Sequence, residues 1–130
     1  MIEGQCHCGA VHWRFDTPLE AATLCNCTLC RRYAVLWAYG HEGEGVTING
    51  PTNSYRHGAG ELAFHFCEQC GCVTHWRAMS TDEQGRRRMA VNLRLADPKT
   101  IATLPLNRFD GLDTFKALSD DGRRVGDILF

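Results

Sequence analysis

The chain has 130 residues, 14 of them basic and 15 acidic, for a formal net charge of −1. That length suits one domain spanning residues 1–130 with a real hydrophobic core. The balanced charge argues against bulk attraction to nucleic acid or an anionic membrane, and no apolar run approaches the ~20 residues of a spanning helix. Hydrophobic content of 44% and charged content of 22% are those of an ordinary soluble protein. The residues before Cys6 contain no apolar h-region, so a cytoplasmic location with reduced thiols is expected.

Short alternating runs dominate the chain. Ala10 to Phe15 places Val11, Trp13 and Phe15 on one alternation and predicts a half-buried strand, ended by Asp16-Thr17-Pro18. Leu24 leads into Cys25-Asn26-Cys27-Thr28-Leu29-Cys30, and Thr28 to Tyr33 fits one helical turn. Ala34 to Tyr39 is a continuous apolar run, read as a buried strand closed by Gly40. Val46-Thr47-Ile48 and Ser54 to His57 are further short strands, with Asn49-Gly50-Pro51 and Gly58-Ala59-Gly60 as turns.

Leu62 to Phe66 alternates and delivers the chain into Cys67, and Cys72 to Arg77 again predicts a strand. Arg86 to Leu95 fits one long strand with Met89, Val91, Leu93 and Leu95 on one face. Its entry triplet Arg86-Arg87-Arg88 is a solvated turn rather than a binding patch. Asp97-Pro98 has the signature of a helix start, an Asp cap followed by Pro. Leu106 to Asp110 and Phe115 to Leu118 are short strands, and Asp120-Asp121-Gly122 is a turn. Many short strands with frequent turns and no long helical period predict a mainly β domain.

Eight cysteines stand in this chain, and seven of them fall in three tight groups. In a reduced compartment that pattern points to metal rather than to disulfides. Cys67-x-x-Cys70-Gly71 is a zinc knuckle in spacing, and Cys6-x-Cys8-Gly9 offers two more sulfurs from a tighter turn. Together they make a four-thiolate, closed, structural site that ties the N-terminus to the middle of the chain. Cys25, Cys27 and Cys30 remain, three ligands with a fourth position open, which is the pattern of a catalytic zinc. Thiolate donors weaken the metal's Lewis acidity, so such a site favours a thiol substrate over making hydroxide.

Cys72 is either a buried spectator or an alternate fourth ligand. None of the six histidines is assigned a role, although His41 follows the apolar run and could approach the open position. The zincin, deaminase and bacterial ferredoxin signatures are all absent. A weak echo links Cys6-His7-Cys8 before His12-Trp13-Arg14 with Cys70-Gly71-Cys72 before His75-Trp76-Arg77.

Gly4-x-Cys6-x-Cys8-Gly9-x-Val11, Cys25-x-Cys27-x-x-Cys30-Arg31 and Phe66-Cys67-x-x-Cys70-Gly71 together resemble the glutathione-dependent formaldehyde-activating enzyme family, also called the GFA or centromere protein V domain. The likeness runs from about Gly4 to Asp97-Pro98. It implies an Mss4-like fold of several coiled antiparallel β-sheets stapled by two zinc ions per chain. The structural zinc falls on Cys6, Cys8, Cys67 and Cys70, and the catalytic zinc on Cys25, Cys27 and Cys30. The implied activity is that of a carbon–sulfur lyase acting on the adduct of glutathione and formaldehyde, S-hydroxymethylglutathione.

Two positions depart from the family pattern: Asn26 stands where His is frequent, and Cys72 where a small or hydroxyl residue is usual. The competing expectation is a zinc-stabilised protein-binding module without catalysis. Nucleic-acid binding, suggested by the centromere-protein relatives, is disfavoured by the charge balance.

Overall fold

The computed structural model describes residues 1–129. Eleven short strands dominate them, in two sheets. The first sheet has three strands: β1 (Ile2–Gln5), β2 (His12–Phe15) and β5 (Val46–Asn49), ordered β1-β2-β5. The alternation read from the sequence is realised in β2, where Trp13 and Phe15 are buried while His12 and Arg14 are exposed. β1 was not foreseen, because Ile2-Glu3-Gly4-Gln5 carries only one large apolar residue.

The second sheet contains β3 (Ala22–Cys25), β4 (Trp37–His41), β6 (Thr52–Tyr55), β7 (Leu62–Cys67), β8 (Val73–Ala78), β9 (Arg88–Asn92), β10 (Leu106–Asp110) and β11 (Lys116–Ala117). Their order is β11-β10-β3-β4-β9-β8-β7-β6. Pairing is antiparallel throughout except between β10 and β3, which run parallel with Phe109 opposite Cys25. The α-helices among the described residues are single turns: α1 (Cys30–Tyr33), α2 (Pro98–Ile101) and α3 (Gly126–Leu129). Asp97 caps α2 as its sequence predicts, accepting the Lys99 N–H at 3.0 Å.

The large sheet is covered on both faces, and neighbouring residues of one strand serve different cores. Ala38, Met89 and Val91 join Trp13, Phe15, Leu36, Ile101 and Leu106 in the core shared with the first sheet. Trp37 and Ala90 instead pack with Val35, Phe64, Trp76, Cys25 and Cys30. A third, smaller cluster joins Cys6, Val11 and Cys67.

Several expected strands are shorter than predicted, among them those read from Ala10 to Phe15 and from Phe115 to Leu118, and one side chain explains two of the others. The run from Arg86 to Leu95 is strand only over Arg88–Asn92, then turns through a 3-10 helix at Leu93–Leu95. The apolar run from Ala34 becomes strand only at Trp37, and continues past Gly40 to His41. Asn92, buried where the two runs meet, accepts from the backbone N–H groups of Leu36 (3.2 Å) and Arg94 (3.1 Å). Its amide donates to the Val73 carbonyl at 2.8 Å. These bonds take over backbone groups that a longer ladder would have used. The basic triplet, expected as a solvated turn, is instead spent locally: Arg86 pairs with Asp82, Arg87 with Glu42, and Arg88, already in β9, lies over the Trp76 ring.

The His65 and His75 rings stack across β7 and β8 with centroids 4.4 Å apart. Thr52 and Thr74 hydroxyls lie 2.9 Å from their respective Nδ1 atoms. Burial, followed by the neighbouring His65, lowers the His75 pKa to about 3. Below pH 6.5 the unfolded chain therefore takes up a proton that the folded ring refuses, so stability must fall as pH drops through that value. Between pH 7.5 and pH 5, wild-type protein should lose about 2 kcal/mol more urea stability than His75→Gln. Equal slopes would contradict this assignment.

Gly4 lies beneath the buried Trp13 ring, where an added Cβ would clash with ring carbons Cζ2 and Cε2. Gly4→Ala should accordingly cost about 1–3 kcal/mol in denaturant titration, and an unchanged midpoint would show that this packing is loose.

Candidate metal centres

The structure brings the seven predicted cysteines into two groups, Cys6/Cys8/Cys67/Cys70 and Cys25/Cys27/Cys30, with all sulfurs of a group within 4.8 Å of one another. The first group is built from two matching knuckles. Cys6 N–H donates to the Val11 carbonyl and Gly9 N–H to the Cys6 carbonyl; Cys67 N–H donates to the Cys72 carbonyl and Gly71 N–H to the Cys67 carbonyl. Gly9 (φ 82°) and Gly71 (φ 80°) both take the left-handed turn that glycine allows without strain. The structural equivalence is thus Cys6 with Cys67 and Cys8 with Cys70, which replaces the sequence echo's pairing of Cys6 with Cys70 and Cys8 with Cys72.

Sulfur separations of 3.6 Å join Cys8 to both Cys6 and Cys67. Four sulfurs at ~2.3 Å from a common centre would stand roughly 3.8 Å apart, so the cluster fits a tetrahedral ion. Backbone N–H groups already point at these atoms: Val11 at Cys6 Sγ (3.2 Å), and Gln69 and Cys70 at Cys67 Sγ (3.4 and 3.5 Å). Such donors stabilise thiolates. Hydrogen bonds from the Cys72 and Cys8 N–H groups pull the Cys70 pKa down to about 5.

The second group sits where β3 ends and α1 begins. Cys27 N–H points at Cys25 Sγ (3.4 Å), Cys30 N–H at Cys27 Sγ (3.2 Å), and the buried Trp37 indole donates to Cys30 Sγ at 3.4 Å. The hydrogen bond from the Cys30 thiol, helped by the Cys27 and Gly111 N–H groups, lowers the Cys25 pKa to about 6 against the pull of burial. Cys30 moves the other way, pushed up by its partner Cys25 and by burial. Cys25 is therefore the first of the pair to ionise.

Among the described residues no histidine or carboxylate joins either group. His41 ends β4 opposite Arg88, outside the three-cysteine group. Cys72 packs beside Cys6, Cys67 and Cys70, so it neighbours the first group and does not complete the second.

Sequence reasoning missed the loop that walls the second group. Asp110, at the end of β10, accepts N–H bonds from Leu112, Asp113 and Thr114 at 3.1–3.2 Å and the Thr114 hydroxyl at 3.0 Å. Those donors, Thr114 N–H foremost, hold its carboxyl at about 2. Asn26, between the first two ligands, donates to Asp110 (3.2 Å) and accepts from Leu112 N–H (3.1 Å). The clamp presses Gly111 onto the thiols so closely that a Cβ there would lie 2.9 Å from Cys25 Sγ and 2.7 Å from Cys27 Cβ. The Asp110-Gly111 pair was the only available signal, and by itself it reads as an ordinary turn.

Two cavities open on this group, and Cys25, Cys30 and Phe109 line both. One, of about 360 Å³, carries Arg31, Arg94 and Arg108. The other, of about 310 Å³, is walled by Trp37, Tyr39, Leu62, Phe64 and Trp76, with Arg88 at its side. A larger cavity, about 690 Å³, lies elsewhere, on the polar face of the first sheet, and touches neither cysteine group.

The sequence profile described as glutathione-dependent formaldehyde-activating enzyme matches residues 1–103. The chain belongs to that family. Its cysteine pattern, mainly β architecture and two thiol clusters all agree with that membership. The fold is similar to the crystal structure of a Rhodobacter sphaeroides protein, with a TM-score of 0.60 at 24% identity over 80% of this chain and 98% of that one. No protein with a curated description matches this one. Phe109, Asp110 and Gly111 lie beyond the matched segment, so part of the wall of the second group is built by chain outside the family profile.

Metal affinity at the second group should depend on that wall. Gly111→Ala and Asn26→Ala should each weaken retention of its metal at least about tenfold in competition with a chelator. Unchanged affinity in both would show that the loop merely covers the site.

Proposed function

We propose that this protein is a zinc-dependent carbon–sulfur lyase acting on the adduct of a glutathione-type thiol and a carbonyl compound, S-hydroxymethylglutathione in the family's named reaction. The observation that carries the reading is a group of three thiols without a fourth protein ligand among the described residues, facing two cavities. On this reading Cys6, Cys8, Cys67 and Cys70 hold a structural zinc, Cys25, Cys27 and Cys30 hold the catalytic one, and residues 1–130 act as a single domain. Zinc bound at the second group supplies a centre that keeps a substrate thiol in its nucleophilic, ionised form near neutral pH.

The residues of the chain divide the remaining work. Gly111 N–H and the Trp37 indole orient Cys25 and Cys30. Arg31 and Arg94 have no ion-pair partner among the described residues, whereas Arg108 is engaged by Asp121 at 3.2 Å and the Ser119 carbonyl at 2.9 Å. The two free cations suit the carboxylates of a small peptide thiol such as glutathione. In the addition direction, the thiolate lone pair forms the carbon–sulfur bond and the carbonyl π pair moves to oxygen, which then takes a proton. The Tyr39 hydroxyl, whose pKa partial desolvation and then the nearby Cys25 push up to about 12, is a proton-bearing group on that wall although much of the ring faces solvent. Cleavage is the same path reversed.

Purified protein should contain two zinc ions per chain, one of them released first by a chelator. Exchange NMR with glutathione and formaldehyde should show adduct formation faster than the spontaneous reaction. Arg94→Ala should raise KM for glutathione roughly fivefold, the ~1 kcal/mol typical of an exposed ion pair, with little change in kcat. One zinc per chain, retained by Cys27→Ser, together with no acceleration, would leave a zinc-stabilised binding module as the better description.

A further inference from the structure

Formaldehyde has two heavy atoms and needs about as much room as a water molecule, whose share of liquid volume is ~30 Å³. The aromatic cavity beside Cys25 and Cys30 is about 310 Å³, an order of magnitude larger. That volume lies at the lower end of the ~300–1,000 Å³ range of ligand sites.

Its walls are fixed rather than collapsible. Trp37 meets Trp76 edge-on with centroids 6.4 Å apart, Phe64 leans on Trp37 at 6.1 Å, and Tyr39 leans on Trp76 at 6.1 Å. Trp37, Phe64 and Trp76 are held in place by burial, while Tyr39 is 46% exposed and leaves the mouth open. The arginine-lined cavity, which shares Cys25, Cys30 and Phe109 with the aromatic one, provides a separate place for an anionic thiol.

We propose that the carbonyl partner of this protein is an aldehyde larger than formaldehyde, carrying an apolar, preferably aromatic, substituent that occupies the cavity of Trp37, Leu62, Phe64 and Trp76. This rests on the lyase reading and narrows its substrate. The chemistry is unchanged: the thiolate sulfur bonds to the aldehyde carbon, the carbonyl oxygen gains a proton, and no redox step is involved. Both cavities share Cys25, Cys30 and Phe109, so an adduct carbon near the sulfurs can send its thiol portion one way and its substituent the other. Aromatic substituents suit these walls best, because edge-to-face ring contacts add to simple burial.

The test uses zinc-loaded protein and two stable thioether mimics, S-methylglutathione and S-benzylglutathione. Trp37 and Trp76 line the cavity, so their fluorescence reports its occupation without any turnover. S-Benzylglutathione should bind at least about tenfold more tightly than the methyl compound and change the tryptophan emission. Leu62→Phe, which fills the cavity from β7, should shrink that ratio. In parallel, glutathione should be added to phenylacetaldehyde with a kcat/KM at least about tenfold above that for formaldehyde, and Leu62→Phe should lower this preference too.

If formaldehyde addition is accelerated but the benzyl group and phenylacetaldehyde gain nothing, this inference fails and the lyase reading stands. If neither aldehyde is accelerated and neither mimic binds, both fail. Tight benzyl binding that Leu62→Phe leaves unaltered would place the substituent elsewhere and overturn the inference.

Discussion

Ionised sulfurs held within 4.8 Å of one another repel, and that repulsion is the constraint around which this molecule is built. Neither thiol group is tolerable as a set of bare thiolates, and each is provided with donors before any ion is considered. The first is met by peptide N–H groups of two equivalent knuckles, one at the N-terminus and one between β7 and β8. The second recruits an indole, two N–H groups from its own turn and a glycine N–H from a loop far along the chain. A metal ion bound there would complete what the donors begin, and its binding free energy would become folding free energy.

The large sheet separates these duties. One of its faces makes a core of Trp13, Phe15 and many aliphatic side chains with the first sheet; the other makes an aromatic core that reaches Cys25 and Cys30. Trp37 joins the two roles, since its ring packs against Phe64 and Trp76 while its N–H holds Cys30 Sγ. The rigidity of that core is therefore passed directly to the ligand set, which favours a site with fixed geometry. Parallel pairing of β10 with β3 has a comparable effect. It brings Phe109 opposite Cys25 and lets Asn26 receive the loop that follows.

How far the sequence revealed all this depended on how local each signal was. Both cysteine groups were legible because thiols two and three residues apart form a short-range pattern that little besides metal binding produces. The β2 alternation and the Asp97-Pro98 start of α2 were legible for the same reason. The early end of β9 was hidden, because it depends on Asn92 bonding to Leu36, distant in sequence. Gly111 was hidden too: its close approach to Cys25 emerges only once β10 pairs with β3 and Asn26 meets Asp110. Polar side chains that bridge distant segments leave no periodicity to read.

X-ray absorption at the zinc edge of the zinc-loaded protein tests the central claim most directly. Two sites, one with four protein sulfurs and one with three, predict an average of about three and a half sulfurs per metal near 2.3 Å, plus a light-atom ligand. Adding glutathione should raise that average toward four as its thiolate completes the second set. Four sulfurs per zinc before any thiol is added, or an average that glutathione leaves unchanged, would contradict the account.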